Sequence, residues 1–282
     1  MQYLELRKLA DESRFNRFHG GVLIWGVLIL ILDGYDLAIV GAALPSIMKD
    51  MNVDAGTAGF MASSALVGMM LGAITFGTLA DRLGRPLLMS ICVGLFSVFT
   101  ALAGVTSDPY SFSAMRFLAG LGIGGVLPIV TAQMAEFAPA ALRARLVTLV
   151  FAGYSIGGIL VALIAKQIIA AYGWPSIFYT ALAPVLLIPF MLLTMPESLP
   201  FLIRRGRYSE LRKIVSKFAP DFVMRDNEHF LPPAGDTSAN SPVRALFDNG
   251  RAFSSVMLWI AFFMGLFMVY ALSSWLTKLM AM

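Results

Sequence analysis

Residues 22–44 read VLIWGVLILILDGYDLAIVGAAL. A helix crosses the hydrocarbon core of a bilayer with ~20 apolar residues, so this run suffices for one crossing. It is apolar on every face, which marks a helix surrounded by lipid or by other helices. Two carboxylates, Asp33 and Asp36, interrupt its second half. Six more long apolar runs follow, at about Thr57–Ala80, Pro86–Val105, Phe112–Ala135, Leu146–Ala170, Pro175–Met195 and Ala252–Leu279. They lack the alternation of barrel strands. The bulk composition agrees. Of 282 residues, 58% are hydrophobic and 13% charged, about half the charged share of a soluble domain. A soluble enzyme, a disordered chain and a disulfide scaffold are excluded, the last because Cys92 is the single cysteine. The fold expected is an all-α polytopic membrane protein.

The bases set the topology. Seventeen of the 21 Lys and Arg precede the first run or lie in the connections after the second, fourth and sixth. Lys49, Lys166 and Lys278 fall on the opposite side, and Arg116 falls inside a run. The positive-inside rule then places the N-terminus and the long loop in the cytoplasm. With seven crossings, the end of this chain lies outside. The net charge of +4 reports this topology, and nucleic-acid binding is not expected. Residues 1–20 mix acids and bases without a cleavage signal and read as an amphipathic cytoplasmic lead-in. Residues 21–195 form a six-helix bundle, 196–251 a basic cytoplasmic loop, and 252–282 a seventh helix. Within the loop, SLPFLIRRGRYSELRKIVSKF (198–218) has helical apolar spacing and reads as one or two interfacial helices. LPPAGDTSANSP (231–242) reads as a linker.

Ionisable residues inside a span are costly and face a bundle interior or a watery cavity. Asp33 and Asp36 are three apart and share a helix face. They lie ~17 and ~21 Å into the first helix, near the bilayer midplane. Two carboxylates so close in a low dielectric resist ionising together, the property a proton site needs. Gly34 thins the helix between them. Arg116 stands about one turn into the fourth run, ~7 Å from the outer surface and at a depth similar to Asp36. The two are expected to pair or to share an anionic substrate, since a guanidinium can bind a carboxylate bidentately. Arg116, Gly120, Gly124 and Pro128 are spaced by four and form a narrow stripe suited to close helix packing. Glu136, at the cytoplasmic end of the same run, has Arg85, Arg143 and Arg145 as possible partners. His19 and His229 lie outside the spans and take no role. No phosphate-binding loop, metal motif or CxxC is present, and GLGIGG sits mid-span, so it fits no dinucleotide fingerprint. No enzyme, cofactor or metal is expected.

The connection after the second run reads GTLADRLGRPLLM (77–89). It resembles the signature loop of the major facilitator superfamily, G-x-L-a-D-R-x-G-R-[RK], through Gly77, Leu79, Asp81, Arg82, Gly84 and Arg85, with Pro86 in place of the last base. RFLAGLGIGG (116–125) resembles the span-four motif. PESLPFLIRRGR (196–207) resembles the motif after span six, departing at Leu199, Pro200 and Phe201. DGYD (33–36) and YALSSWLTKLM (270–280) are similar to the aromatic acid:proton symporters, closest to benzoate transporters, with Thr277 where those have proline.

The resemblance implies a twelve-helix protein of two bundles, each an inverted 3+3 repeat, rocking around a central site. It covers the first half of such a protein, so this chain is expected to be cut short after its seventh helix. Asp33, Asp36 and Arg116 then belong to the proton and substrate site, with Tyr35 and Tyr154 as ring contacts. Gly77, Asp81, Arg82, Gly84, Arg85 and Glu136 belong to the cytoplasmic gate, with Glu136 as the partner of Arg85, and Gly34, Gly120 and Gly124 serve helix packing. The expected function is proton-coupled uptake of a small aromatic carboxylate across the inner membrane by alternating access. The partners implied are that acid, the proton and the lipid bilayer. Three alternatives stay open: a non-transporting fragment, a porter for another organic acid or sugar, and a membrane sensor or scaffold that binds a partner through the basic loop. Which acid, the proton stoichiometry and the oligomeric state are not encoded legibly.

Overall fold

The computed structural model describes residues 3–4, 6–220, 229–230 and 250–279. The linker 231–242 and the side chains of Asp81 and of YALSSWLTKLM lie outside the described residues. The chain divides into two compact units between Pro232 and Pro233.

In the first unit a short helix, α1 (Leu6–Glu12), precedes five long ones: α2 (Arg17–Asp50), α3 (Ala55–Leu83), α4 (Arg85–Ala103), α5 (Pro109–Phe137) and α6 (Arg143–Tyr172). The sixth apolar run is not one α-helix. It forms α7 (Pro175–Tyr179), a 3₁₀ stretch over Thr180–Leu187 and α8 (Ile188–Thr194). Pro184 sits inside the 3₁₀ stretch. It has no N–H to donate and crowds the carbonyl four residues back, so the α-helical ladder cannot run through it. Two short helices follow, α9 (Leu199–Arg204) and α10 (Tyr208–Phe218), and two residues of β2 (His229–Phe230) pair in parallel with β1 (Tyr3–Leu4). The second unit contains α11 (Ala252–Leu279), which coincides with the seventh apolar run. Among the described residues, six segments are long and apolar enough to cross a membrane, from Arg17–Asp50 through Pro175–Thr194.

The first crossing begins earlier than its apolar pattern, at Arg17, because Asn16 caps it. The Asn16 side-chain oxygen accepts from the backbone N–H groups of Phe18 and His19, satisfying donors that a helix start leaves unpaired. Asp54 and Asp108 cap α3 and α5 in the same way. The hydrogen bonds from Thr57 hold the Asp54 carboxyl below its ordinary range, and those from Ser111 do the same for Asp108.

Lipid tails are as apolar as leucine, so membrane helices associate through close packing. Here the closest approaches are made at glycines. A Cβ placed on Gly34 would overlap the carbonyl oxygen of Tyr154, and one on Gly157 the carbonyl of Ile31, locking α2 against α6. Gly68 and Gly72 of α3 face the carbonyls of Phe117 and Leu121, while Gly120 and Gly124 of α5 face those of Ala65 and Met69. If the first three crossings are superposed on the second three, α2–α6 maps onto α5–α3. The two tight pairs are thus equivalents in a 3+3 repeat.

The stripe Arg116–Gly120–Gly124–Pro128 is less narrow than its spacing suggests. Each step of four advances by about 40° around the helix. Gly120, Gly124 and Pro128 meet α3, while Arg116 turns toward α2 and α4.

The segment after span six, expected to form one or two interfacial helices, forms two, α9 and α10, and both pack onto the bundle. Leu199, Leu202, Leu211, Val215 and Phe218 join the same core cluster as Leu6, Ala10 and Phe137.

Gly124→Val should lower the unfolding free energy in detergent by about 1–3 kcal/mol, the cost of overfilling a packed contact. Gly59→Ala, whose new Cβ would meet nothing within 4 Å, should be neutral or slightly stabilising. Both are checked by denaturant unfolding. The two aspartate caps are fully formed above the ordinary aspartate range, near 3.9, and are lost as the pH falls through their depressed folded values. Asp54→Asn/Asp108→Asn should therefore show a shallower loss of melting temperature than the parent between neutral and acid pH.

Candidate functional site in the bundle interior

The site is built on α2, α4 and α5. Asp33 and Asp36 lie on the buried face of α2 with 2% and 1% exposure, and Arg116 of α5 is also 1% exposed. The depth argument predicted that Arg116 and Asp36 stand level. Arg116 Nη1 donates to Asp36 Oδ2 at 3.0 Å and also to Thr100 Oγ1 of α4 at 2.7 Å. The contact to Asp36 goes through one nitrogen and is not the bidentate fork expected from the residue types. Thr100 competes for the same group, and Arg116 Nε has no hydrogen-bond partner among the described residues. Asp33 Oδ1 and Asp36 Oδ1 are likewise unpartnered and buried. A buried carboxylate without a compensating partner is expensive to hold in the interior.

Gly34 separates the two aspartates and lies against the Tyr154 backbone, so the expected thinning of α2 admits α6. Tyr35 is half-buried, and its hydroxyl shares a 2.7 Å hydrogen bond with Thr180 Oγ1 at the start of the 3₁₀ stretch. Tyr154 is half-buried on α6. Both tyrosines are thus tied into helix–helix contacts around the aspartates.

A second cluster closes the end of the bundle that carries α9. Arg85 and Glu136 form an ion pair; of the three partners open to Glu136, this is the one it takes, while Arg143 pairs with Asp11. Glu136 also accepts from the Leu199 N–H at 2.6 Å and the Ser198 hydroxyl at 3.3 Å. Glu197 accepts from the Arg85 N–H at 2.9 Å. Two carboxylates are therefore exchanged: the end of span four caps the turn after span six, and the turn after span six caps the start of span three. Gly84 makes this possible. Its φ is +96° and a Cβ there would strike the Glu197 carboxylate. Pro86, the departure from the signature loop, sits in the first turn of α4, where no backbone donor is needed. Arg82 is exposed, and its carbonyl accepts from Arg205 at 3.4 Å. Gly77 lies against Pro128, 3.7 Å from where its Cβ would be. Sequence reasoning missed Thr100, Glu197 and Ser198 as partners. The last two were within the PES motif, while Thr100 carries no pattern that sets it apart.

Six membrane-length segments, interior charges on the first and fourth of them, and an acid–base pair at one end describe a multi-pass helical membrane protein of the major facilitator type. Residues 26–282 match the family model described as Major Facilitator Superfamily, and the chain belongs to that family, whose members are transporters and not enzymes. It is 41% identical over 98% of its length to a protein named "Benzoate transport protein" from Acinetobacter baylyi, of which it covers 61%. It is 34% identical to the "4-hydroxybenzoate transporter PcaK" of the same organism, over 98% of this chain and 62% of that one. It is 31% identical to the "Gallate transporter" of Pseudomonas putida, also over 98% and 62%. The chain thus spans about six-tenths of the length of these relatives. Among solved structures, the xylose transporter XylE from E. coli, in a partially occluded inward open conformation, matches with a TM-score of 0.65 and 23% identity. The match covers 71% of this chain and 55% of that one, a likeness of fold.

Arg116→Gln should destabilise the protein by about 3–5 kcal/mol, because it leaves Asp36 buried without its counter-charge. Arg116→Gln/Asp36→Asn should recover most of that loss. A double-mutant cycle on denaturant unfolding in detergent checks both values, and additivity of the two single changes would contradict the pairing.

Proposed function

We propose that this chain supplies the first bundle of a proton-coupled importer of aromatic carboxylates in the inner membrane. The observation that carries the proposal is the interior triad in which Arg116 is held by Asp36 and Thr100 beside Asp33, whose Oδ1 has no partner. The similarity to relatives named for benzoate, 4-hydroxybenzoate and gallate supports the substrate class. In this mechanism a proton entering from outside neutralises the Asp33/Asp36 pair. Protonation of Asp36 cancels its attraction for Arg116, and the guanidinium becomes available to a substrate carboxylate. Tyr35 and Tyr154 border the same space and contribute to holding the ring. Rocking to the inward-open state releases the acid, and loss of the proton returns Arg116 to Asp36. Coupling follows because Arg116 meets one carboxylate at a time.

The Arg85–Glu136 lock and the signature loop, Asp81 included, act at the cytoplasmic gate. The bases put the N-terminus, α9 and α10 in the cytoplasm. Residues 1–20, 21–195, 196–251 and 252–282 serve as lead-in, first bundle, basic loop and the helix that starts a second bundle.

Uptake of labelled benzoate into proteoliposomes, with the pH gradient imposed independently, tests the mechanism. The expected result is accumulation that follows an inward proton gradient, and accumulation reduced at least tenfold in Asp33→Asn. Uptake indifferent to the gradient, or unchanged in Asp33→Asn, would refute it.

A further inference from the structure

A groove of about 810 Å³ opens on the flank of the first unit, where the start of α2, the start of α4, the end of α8 and the length of α10 meet. It is distinct from the interior triad, and its two walls differ in chemistry. One is apolar and outward-facing: Leu87 is 47% exposed, Leu192 46% and Leu193 84%. Leucines so exposed at the end of a membrane-length helix are where acyl chains lie. The other wall is basic. Four bases and two acids line the groove, and the acids are already engaged. Glu210 is clamped by both the Nε and the Nη2 of Arg207, and Glu197 accepts backbone N–H groups of Arg85 and Ser198. Arg17, Lys213 and Lys217 remain as exposed cations.

These cations are held in place. Lys213 and Lys217 are four apart on α10 and so share a face, while Leu211, Val215 and Phe218 bury the opposite face in the core. Asn16 fastens the end of α10 by donating its side-chain amide to the carbonyls of Lys217 and Phe218, at 2.9 and 3.3 Å. Between the two walls stands Trp25, whose indole N–H donates to Thr194 Oγ1 at 2.9 Å. That is the amphipathic placement tryptophan takes at headgroup depth.

We infer that this groove is a binding site for one anionic phospholipid of the adjoining leaflet, its phosphate held by Arg17, Lys213 and Lys217 and its acyl chains laid along Leu87, Leu192 and Leu193. The complementarity of charge over an apolar wall commits the site to a lipid. A soluble anion would use the cations alone and leave the leucines idle. The inference rests on the protein crossing a membrane and is independent of which side faces the cytoplasm and of what is transported.

Native mass spectrometry of the full chain in mixed phosphatidylglycerol and phosphatidylcholine micelles tests it. Each cation near an anionic headgroup is worth about a fivefold preference, so three give a preference of up to about 100-fold. One phosphatidylglycerol should be retained in preference to phosphatidylcholine. The preference should collapse in Arg17→Gln/Lys213→Gln/Lys217→Gln, survive in Lys213→Arg/Lys217→Arg, and be untouched by Arg145→Gln, which removes a base elsewhere in the bundle. Equal retention of the two lipids, an unchanged preference in the triple variant, or displacement of the retained lipid by glycerol 3-phosphate would overturn the inference. Helix content measured by circular dichroism on each variant separates loss of binding from loss of fold.

Discussion

The backbone-to-backbone contact between α2 and α6 at Gly34 governs the interior. Any side chain at that position would collide with the Tyr154 carbonyl, so the two helices meet backbone to backbone. The residues on either side of this contact are Asp33 and Tyr35, and Asp36 follows. Their orientation is dictated by the packing: with α6 pressed against Gly34, the aspartates face α4 and α5. The equivalent contact at Gly120, one turn beyond Arg116 in α5, fixes that helix against α3 in the same manner. In a bilayer, where association has no aqueous driving force, two glycine seams thus deliver the charges to one place.

What those charges do follows from an imbalance in hydrogen bonding. A buried guanidinium with several donors meets one carboxylate oxygen and one hydroxyl, and each aspartate keeps an oxygen without a partner. A fully satisfied network would be rigid and inert. An unsatisfied one leaves polar atoms open, and in the proposed mechanism these are the atoms that take a proton or a substrate anion. At the other end, Arg85, Glu136 and Glu197 sit in a different regime, with carboxylates that cap helix starts and engage backbone N–H groups. That cluster ties the third and fourth crossings to the turn after span six. It is a lock, whereas the interior triad is a balance.

Much of this was readable before any coordinates. Membrane crossings announce themselves by composition, and depth along two antiparallel helices was enough to bring Arg116 level with Asp36. Position alone left Glu136 three possible bases; the family resemblance pointed to Arg85, and the ion pair is the one found. The break in the sixth crossing was signalled by Pro184, but an apolar run offers no polar punctuation, so its helical type stayed hidden. The docking of α10 was out of reach. It depends on Asn16 reaching carbonyls about 200 positions away, and no local periodicity encodes such a contact. Of the stripe on α5, Gly120, Gly124 and Pro128 pack on α3 as their spacing suggests, while the long side chain of Arg116 reaches α2 and α4 instead.

The 3₁₀ stretch of the sixth crossing affects reach. That crossing has 20 residues, Pro175–Thr194, where α2 has 34 and α6 has 30. As a pure α-helix it would extend about 30 Å, only the thickness of the hydrocarbon core. A 3₁₀ residue rises about 2.0 Å against 1.5 Å, so eight of them, Thr180–Leu187, lengthen the segment by about 4 Å without adding a residue. Overwinding lets this short crossing keep pace with longer neighbours such as α2 and α6, and it delivers Thr194, at the far end, to the hydrogen bond with Trp25.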